Sequence, residues 1–249
     1  MPTPTIPASF EDVYLVNPAH VRPSTPDEVA AAETELGVRM PAGYGEYVRR
    51  LGDGALGHLV RVYPPTTVGT RTAEWRARVQ EYWFWDTTAA GVEPESFQDR
   101  GVVVADTFNG DELCFLPEHP DALFLLPRDD DDVVPAGSGL LPALDWLIGG
   151  DLNPWVEGWT FEAFGGERRE VRRELNAGLD LAGAAHAVAQ LGEHAHLVEL
   201  GSRTTFFLPA LGGRLSLYQL DGWAPSLDLS HDPEADPAAV ARVLVALGA

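Results

Sequence analysis

The stretch that decides the fold runs from residue 25 to residue 54, TPDEVAAAETELGVRMPAGYGEYVRRLGDG. It reads as two short helices in tandem, each with its own start and stop signal. Thr25 is placed to cap the first helix, Pro26 fits the first helical position, and Glu28 completes a capping box. Val29, Ala32 and Leu36 then share one face, and Gly37 is a natural stop, because glycine enters the left-handed conformation without steric cost. Met40-Pro41 opens the second helix, on which Tyr44, Tyr47, Val48 and Leu51 recur at i, i+3, i+4 and i+7. Gly52 closes it.

Working outward, residues 58–63 (HLVRVY) read as a strand ended by Pro64-Pro65, and residues 72–84 as a helix with Trp75, Val79 and Tyr82 on one side. Residues 101–106 and 112–116 flank Asn109-Gly110, the strongest short hairpin signal in the chain. Residues 122–126 form a third strand of this meander. Residues 139–148 read as a helix with Leu140, Leu144, Trp146 and Leu147 at its apolar positions.

Composition changes at Gly165-Gly166, and the charged stretch from there to Leu175 reads as a linker or a solvent-facing helix. A second pattern follows. Leu181, Ala184, Ala185, Val188 and Leu191 make a helical stripe ended by Gly192. Strands are expected at 196–200, 205–208 and 215–220, with a weaker fourth at 226–229, and Asp236-Pro237 starts a last helix carrying Val240, Val243, Leu244 and Leu247. The expected architecture is therefore α+β. A first domain, residues 1–165, has a largely antiparallel central sheet with helices packed against it; residues 166–249 form a smaller α-β-β-β-α unit.

The chain has 249 residues, 45% of them hydrophobic and 22% charged, which is the balance of a folded protein rather than a disordered one. No apolar run approaches the ~18 to 20 residues of a membrane helix. The first residues lack a basic stretch followed by an apolar core, and a single cysteine, Cys114, permits no internal disulfide, so a cytoplasmic location is expected. Formal net charge is −21, and all 17 bases are arginine. Residues 1–165 hold 27 acids against 10 arginines, whereas residues 166–249 hold 11 against 7. Such a surface repels phosphate backbones and anionic lipid and attracts a basic partner; solubility alone is the plainer explanation.

Candidate chemistry is sparse. His186, His194 and His196 are the only clustered histidines, and they lack the convergent spacing of a metal set. The run Asp129, Asp130, Asp131, Asp132 resembles the start of a calcium loop but lacks the glycine at the sixth position and the glutamate at the twelfth. No nucleophile elbow is present, and without lysine no phosphate loop of the Walker type can form. Cys114, between Leu113 and Phe115 in a strand, reads as a buried thiol. Neither a catalytic residue nor a cofactor is expected. Two features remain for partner binding: the four aspartates, and Trp83, Phe84 and Trp85 of the aromatic run Tyr82, Trp83, Phe84, Trp85. Four consecutive aromatics cannot all face one core from a single helix, so either one or two form an exposed ridge or the set packs between the meander and the first helix pair.

The pattern over residues 25–54 resembles the signature of the SUKH superfamily, which includes the fungal Smi and Knr cell-wall regulators and many bacterial immunity proteins. Glu33, Leu36, Gly37, Pro41, Tyr44, Gly52 and Gly54 occupy its positions. VADTFNGDELCFL (104–116) resembles its second landmark and Leu144-Asp145-Trp146-Leu147 its closing helix, so the resemblance covers about residues 20–165. Gly52-Asp53-Gly54 departs from the frequent Asn-Gly-Gly. The resemblance implies an α+β fold that binds rather than turns over: a protein partner, in bacteria a toxin domain, with no catalytic residues to carry across. A regulatory scaffold of the fungal kind without a toxin partner, and an enzyme whose site lies in the second domain, are the alternatives. Residues 166–249 resemble no named family.

Overall fold

A computed structural model describes residues 9–149, 156, 158–175, 179–192, 194, 196–200, 202–219 and 223–248. The described chain is a mixed α+β protein in two compact units, Met1–Tyr14 with Val21–Phe161, and Leu15–His20 with Glu162–Ala249. The segment Leu15–His20, read from sequence as part of the first domain, groups with the second.

The tandem helices take their places by local chemistry. Helix α1 (Pro26–Leu36) is capped by Thr25, whose hydroxyl accepts from the Glu28 N–H while the Glu28 carboxylate accepts from the Thr25 N–H. Gly37 ends it at φ +66°. Glu33 then reaches forward to accept from the Met40 N–H at 2.8 Å. Helix α2 (Tyr44–Arg50) starts three residues later than Met40-Pro41 suggests. Pro41-Ala-Gly43 forms a turn, with the Tyr44 N–H donating to the Pro41 carbonyl at 3.0 Å. Tyr44 and Tyr47 are fully buried, and the Tyr44 hydroxyl donates to the Tyr63 carbonyl at 2.8 Å. The Tyr47 ring stands edge-on to Phe10 and Phe161, at 5.2 and 6.3 Å.

Around this pair lies an eight-stranded sheet in the order β1-β8-β2-β3-β4-β5-β6-β7. Its strands are β1 (Tyr14–Leu15), β2 (Gly54–Leu56), β3 (Val60–Val62), β4 (Val102–Thr107), β5 (Glu112–Leu116), β6 (His119–Leu126), β7 (Val134–Ser138) and β8 (Thr160–Ala163). From β2 to β7 every neighbour is antiparallel. The hairpin turns at Gly110, φ +99°, where the sequence places it. Helix α3 (Pro65–Glu81) packs Val68, Thr72, Trp75 and Val79 inward along β4, α4 (Pro94–Arg100) lies on β5, and α5 (Leu140–Gly149) on β6 and β7. Cys114 is fully buried, and burial pushes its thiol well above the ordinary range.

Two expectations fail here for identifiable reasons. Pro64-Pro65 ends a strand, as expected, but Pro64 also caps α3 and Pro65 opens it, so the helix begins seven residues before 72 and stops at Glu81. The aromatic run is consequently not helical. The short elements β2, α4, β7 and β8 went unread because three to seven residues carry too little periodicity to register.

The second unit is a five-stranded antiparallel sheet, β10-β11-β12-β13-β9, built from β9 (Arg169–Glu174), β10 (His196–Leu200), β11 (Arg203–Leu208), β12 (Gly213–Tyr218) and β13 (Ser226–His231). The charged stretch 169–174 is thus an edge strand rather than a linker or helix, and the α-β-β-β-α pattern becomes β-α-β-β-β-β-α. Long-range pairing with β13 overrides the local pattern: Val171 faces Leu229 across the ladder and supplies the strand's apolar contact. Leu220, read as the end of β12, lies outside the described residues. Helices α6 (Leu181–Leu191, capped by Asp180) and α7 (Pro237–Ala246, capped by Asp236) cover the apolar face through Ala184, Val188, Ala239 and Val243. Leu15–His20 joins this unit through Asn17, whose side-chain amide donates to and accepts from the Ala163 backbone at 3.0 and 2.8 Å. His20 Nε2 lies 3.0 Å from Asp232, which also pairs with Arg168.

The two glycines that close the tandem helices separate conformation from close approach. Both have positive φ, but a Cβ on Gly52 would sit 2.2 Å from the Arg22 carbonyl oxygen, whereas one on Gly37 would meet nothing within 4 Å. Gly37→Ala is expected to cost about 1 kcal/mol, and Gly52→Ala about 2 to 3 kcal/mol more, since backbone must shift as well. Equal urea midpoints for the two variants would show that the turn at Gly52 relaxes freely.

Candidate functional site

The residues singled out from sequence for partner binding meet in one place on the first unit. After α3 the chain turns extended at Tyr82 (φ −144°, ψ 113°), and side chains then alternate in and out. Trp83 and Trp85 point inward. The Trp83 ring stacks on Phe97 at 5.8 Å, and its indole N–H donates to the Trp85 carbonyl at 2.7 Å. Trp85 is only 5% exposed, and its own indole N–H donates to the Pro127 carbonyl at 2.7 Å. Tyr82 and Phe84 point outward, 67% and 38% exposed, with ring centroids 5.7 Å apart. Phe84 also stacks on Trp85 at 4.1 Å, so the outer ring rests on a fixed inner one. Of the three rings read from sequence as a partner surface, only Phe84 is exposed: Trp85 belongs to the core and Trp83 is half-buried on Phe97, because the extended backbone alternates its side chains, and Tyr82 joins Phe84 on the outside.

The next residue joins this ridge to the acidic loop. Asp86 N–H donates to the Asp131 carbonyl at 2.5 Å, and Val133 N–H donates to the Asp86 carbonyl at 2.8 Å, a parallel bridge between positions 86 and 132. The Asp86 carboxylate accepts from the Thr88 hydroxyl and N–H at 2.6 and 2.8 Å, and these bonds hold its pKa below the usual carboxylate value. Within the loop, Asp130 Oδ1 accepts from the N–H groups of Asp131 and Asp132. Asp129, Asp130, Asp131 and Asp132 are all exposed. Asp86 was not foreseen as part of this site. The sequence signal for it was its position directly after the aromatic run, and that says nothing without the bridge.

No ion pair among the described residues reaches these five carboxylates. The arginines of the first unit are engaged elsewhere: Arg39 with Asp121, Arg50 with Glu11, Arg61 with Asp106, Arg78 with Glu112 and Arg100 with Glu118. Even Arg128, next to the run, donates to the Asn109 carbonyl. A ridge of two exposed rings beside five uncompensated carboxylates is suited to cations that carry some apolar surface, arginine above all.

His186 is exposed on α6, His194 sits edge-on to the Phe206 ring at 5.4 Å, and Glu193 and the side chain of His196 fall outside the described part. Among the described residues no group of three or more His, Cys, Asp or Glu could hold a metal ion, and no helix is long and apolar enough to cross a membrane.

The alternation makes a sharp stability contrast. Trp85→Ala is expected to destabilise the protein by about 3 to 5 kcal/mol, while Tyr82→Ala stays within about 0.5 kcal/mol of the parent. Comparable losses for both in thermal unfolding would contradict the in-out reading of the run. The chain matches no model of a known protein family, and no curated protein matches it in sequence.

Proposed function

We propose that this chain is a cytoplasmic immunity protein of the SUKH type, which binds a cognate toxin domain through the first unit and neutralises it by sequestration rather than turnover. The resemblance over residues 20–165 supplies the class. The observation that carries the reading to a surface is the stitching of five unpaired carboxylates to the exposed Tyr82 and Phe84 rings. Tyrosine and other aromatics dominate interface energetics when they sit within a polar rim, and a uniformly acidic rim selects a basic partner. A toxin domain that acts on nucleic acid needs a basic cleft, and the ridge fits such a cleft in sign and in its mixture of rings and anions. The net charge of −21 disfavours direct binding of nucleic acid or anionic membrane by this chain itself.

The two halves of the surface act on different rate constants. Asp129→Asn, Asp130→Asn, Asp131→Asn and Asp132→Asn together keep the loop's shape, because asparagine Oδ1 still accepts the two N–H bonds at position 130. With the toxin domain encoded beside this gene as partner, the quadruple variant should associate about tenfold more slowly at low salt and show a flatter salt dependence. Tyr82→Ala with Phe84→Ala should leave association nearly unchanged and speed dissociation at least tenfold. If both variants bind and protect cells as the parent does, the ridge is not the interface.

A further inference from the structure

The second unit carries a different surface, on which the proposed toxin contact has no bearing. Its two sheet edges are built unlike each other. On β9, five of six residues are charged (REVRRE), which is how natural sheets discourage pairing at an edge. On β10 (HLVEL) only Glu199 is charged, and no described strand lies on its outer side. Its backbone donors and acceptors on that side have no ladder partner among the described strands.

The edge also borders a groove. The inner face of the sheet runs as two cross-strand rows, Val171-Leu229-Leu215-Phe206-Leu197 and Arg173-Leu227-Leu217-Thr204-Glu199. The middle of each row lies in the core beneath the helices, but at the β10 end Leu197 remains 40% exposed. Between it and α6 is a cavity of about 460 Å³, walled by Leu181, Ala185 and Ala189 on the helix and by Leu197 and Phe206 on the sheet. Glu199 and His186 supply polar lining. Glu199 is exposed and makes no ion pair among the described residues.

From the open edge, the apolar groove beside it and the unpaired carboxylate, we infer that β10 accepts an extended segment of a partner protein as a sixth strand. A strand seated there places alternate side chains on the groove face. The residue opposite Leu197 is a large apolar one, and the residue two positions away, opposite Glu199, is lysine or arginine. A second copy of this chain fits less well. Antiparallel self-pairing about Val198 sets both copies' Glu199 on one face with no cation to match, between molecules that each carry −21. The free backbone along the edge favours a polypeptide over a small molecule.

The test uses the full chain and a fluorescein-labelled peptide, Thr-Val-Lys-Thr-Leu-Thr-Lys-Val-Thr, palindromic so that either strand direction presents the same pattern, with a control in which both lysines are glutamate. The lysine peptide should bind saturably, more tightly than the control, and should slow amide hydrogen exchange at positions 197–199, which mere electrostatic adsorption would leave unchanged. Glu199→Lys, a change at an exposed position, should weaken the lysine peptide about fivefold or more and reverse the preference toward the control. Leu197→Asp should lower affinity for both. The proposal is overturned by non-saturable binding, by binding that leaves exchange at β10 unchanged or survives Glu199→Lys, or by concentration-dependent dimerisation that produces the same protection without peptide.

Discussion

Three hydrogen bonds turn two unrelated pieces of sequence into one surface: the Trp85 indole to the Pro127 carbonyl, and the paired backbone bonds between Asp86 and the 131–133 segment. Each alone is worth about 1 kcal/mol net. Together they fix the register between an aromatic run and an acidic run 44 to 50 residues apart in the chain. The inward Trp83 and Trp85 make this anchoring rigid, because Trp83 stacks on Phe97 and meets Trp85 edge-on while both indole N–H groups are satisfied. The outward rings then cost little to present, since they rest on a packed layer.

What was legible in the sequence was what is decided locally. Thr25 with Glu28, Asp236-Pro237, Gly37 and Gly192 act within one turn of their own helices, and the structure uses each as a cap or a stop. Asn109-Gly110 marks the hairpin as well, although the turn is longer than the two-residue one this pair favours: only Gly110 takes a positive φ, and its N–H donates to the Thr107 carbonyl at 2.9 Å. The illegible parts depend on partners far away. Residues 169–174 look like a solvated linker until β13 is laid beside them, and Asp86 has no special standing until Asp131 and Val133 bond to it. The aromatic run failed as a helix for a subtler reason. Pro65 starts α3 earlier than its apolar stripe suggests, and the helix runs out at Glu81 before the aromatics begin.

Charge distribution follows the same division between local and long-range causes. In the first unit two carboxylates that are drawn inward have an arginine against them, Asp106 on Arg61 and Glu112 on Arg78. Burial pushes the Glu112 pKa up, and the Arg78 guanidinium and the Trp75 indole N–H oppose that push. Arginines spent there are unavailable to the loop at 129–132. A chain with 38 acids and 17 bases must leave many acids unpaired, but nothing in that ratio requires them to stand contiguously beside exposed rings. The clustering is the informative part, because like charges brought together without cations repel one another and stabilise nothing within the chain.

The second unit reaches the same kind of incompleteness through backbone rather than charge. A sheet that covers itself with two helices and guards one edge with arginine and glutamate has the means to guard the other. On β10 it does not: the strand carries Leu197 and Val198 at its centre, and the helix beside it presents leucine and small alanines rather than side chains that would close the groove. Both units therefore leave open something that folding alone would favour closing: among the described residues, five carboxylates of the first have no cation paired with them and one sheet edge of the second has no neighbouring strand. The two surfaces rest on different physics: charge and rings on the first unit, backbone and side-chain alternation on the second.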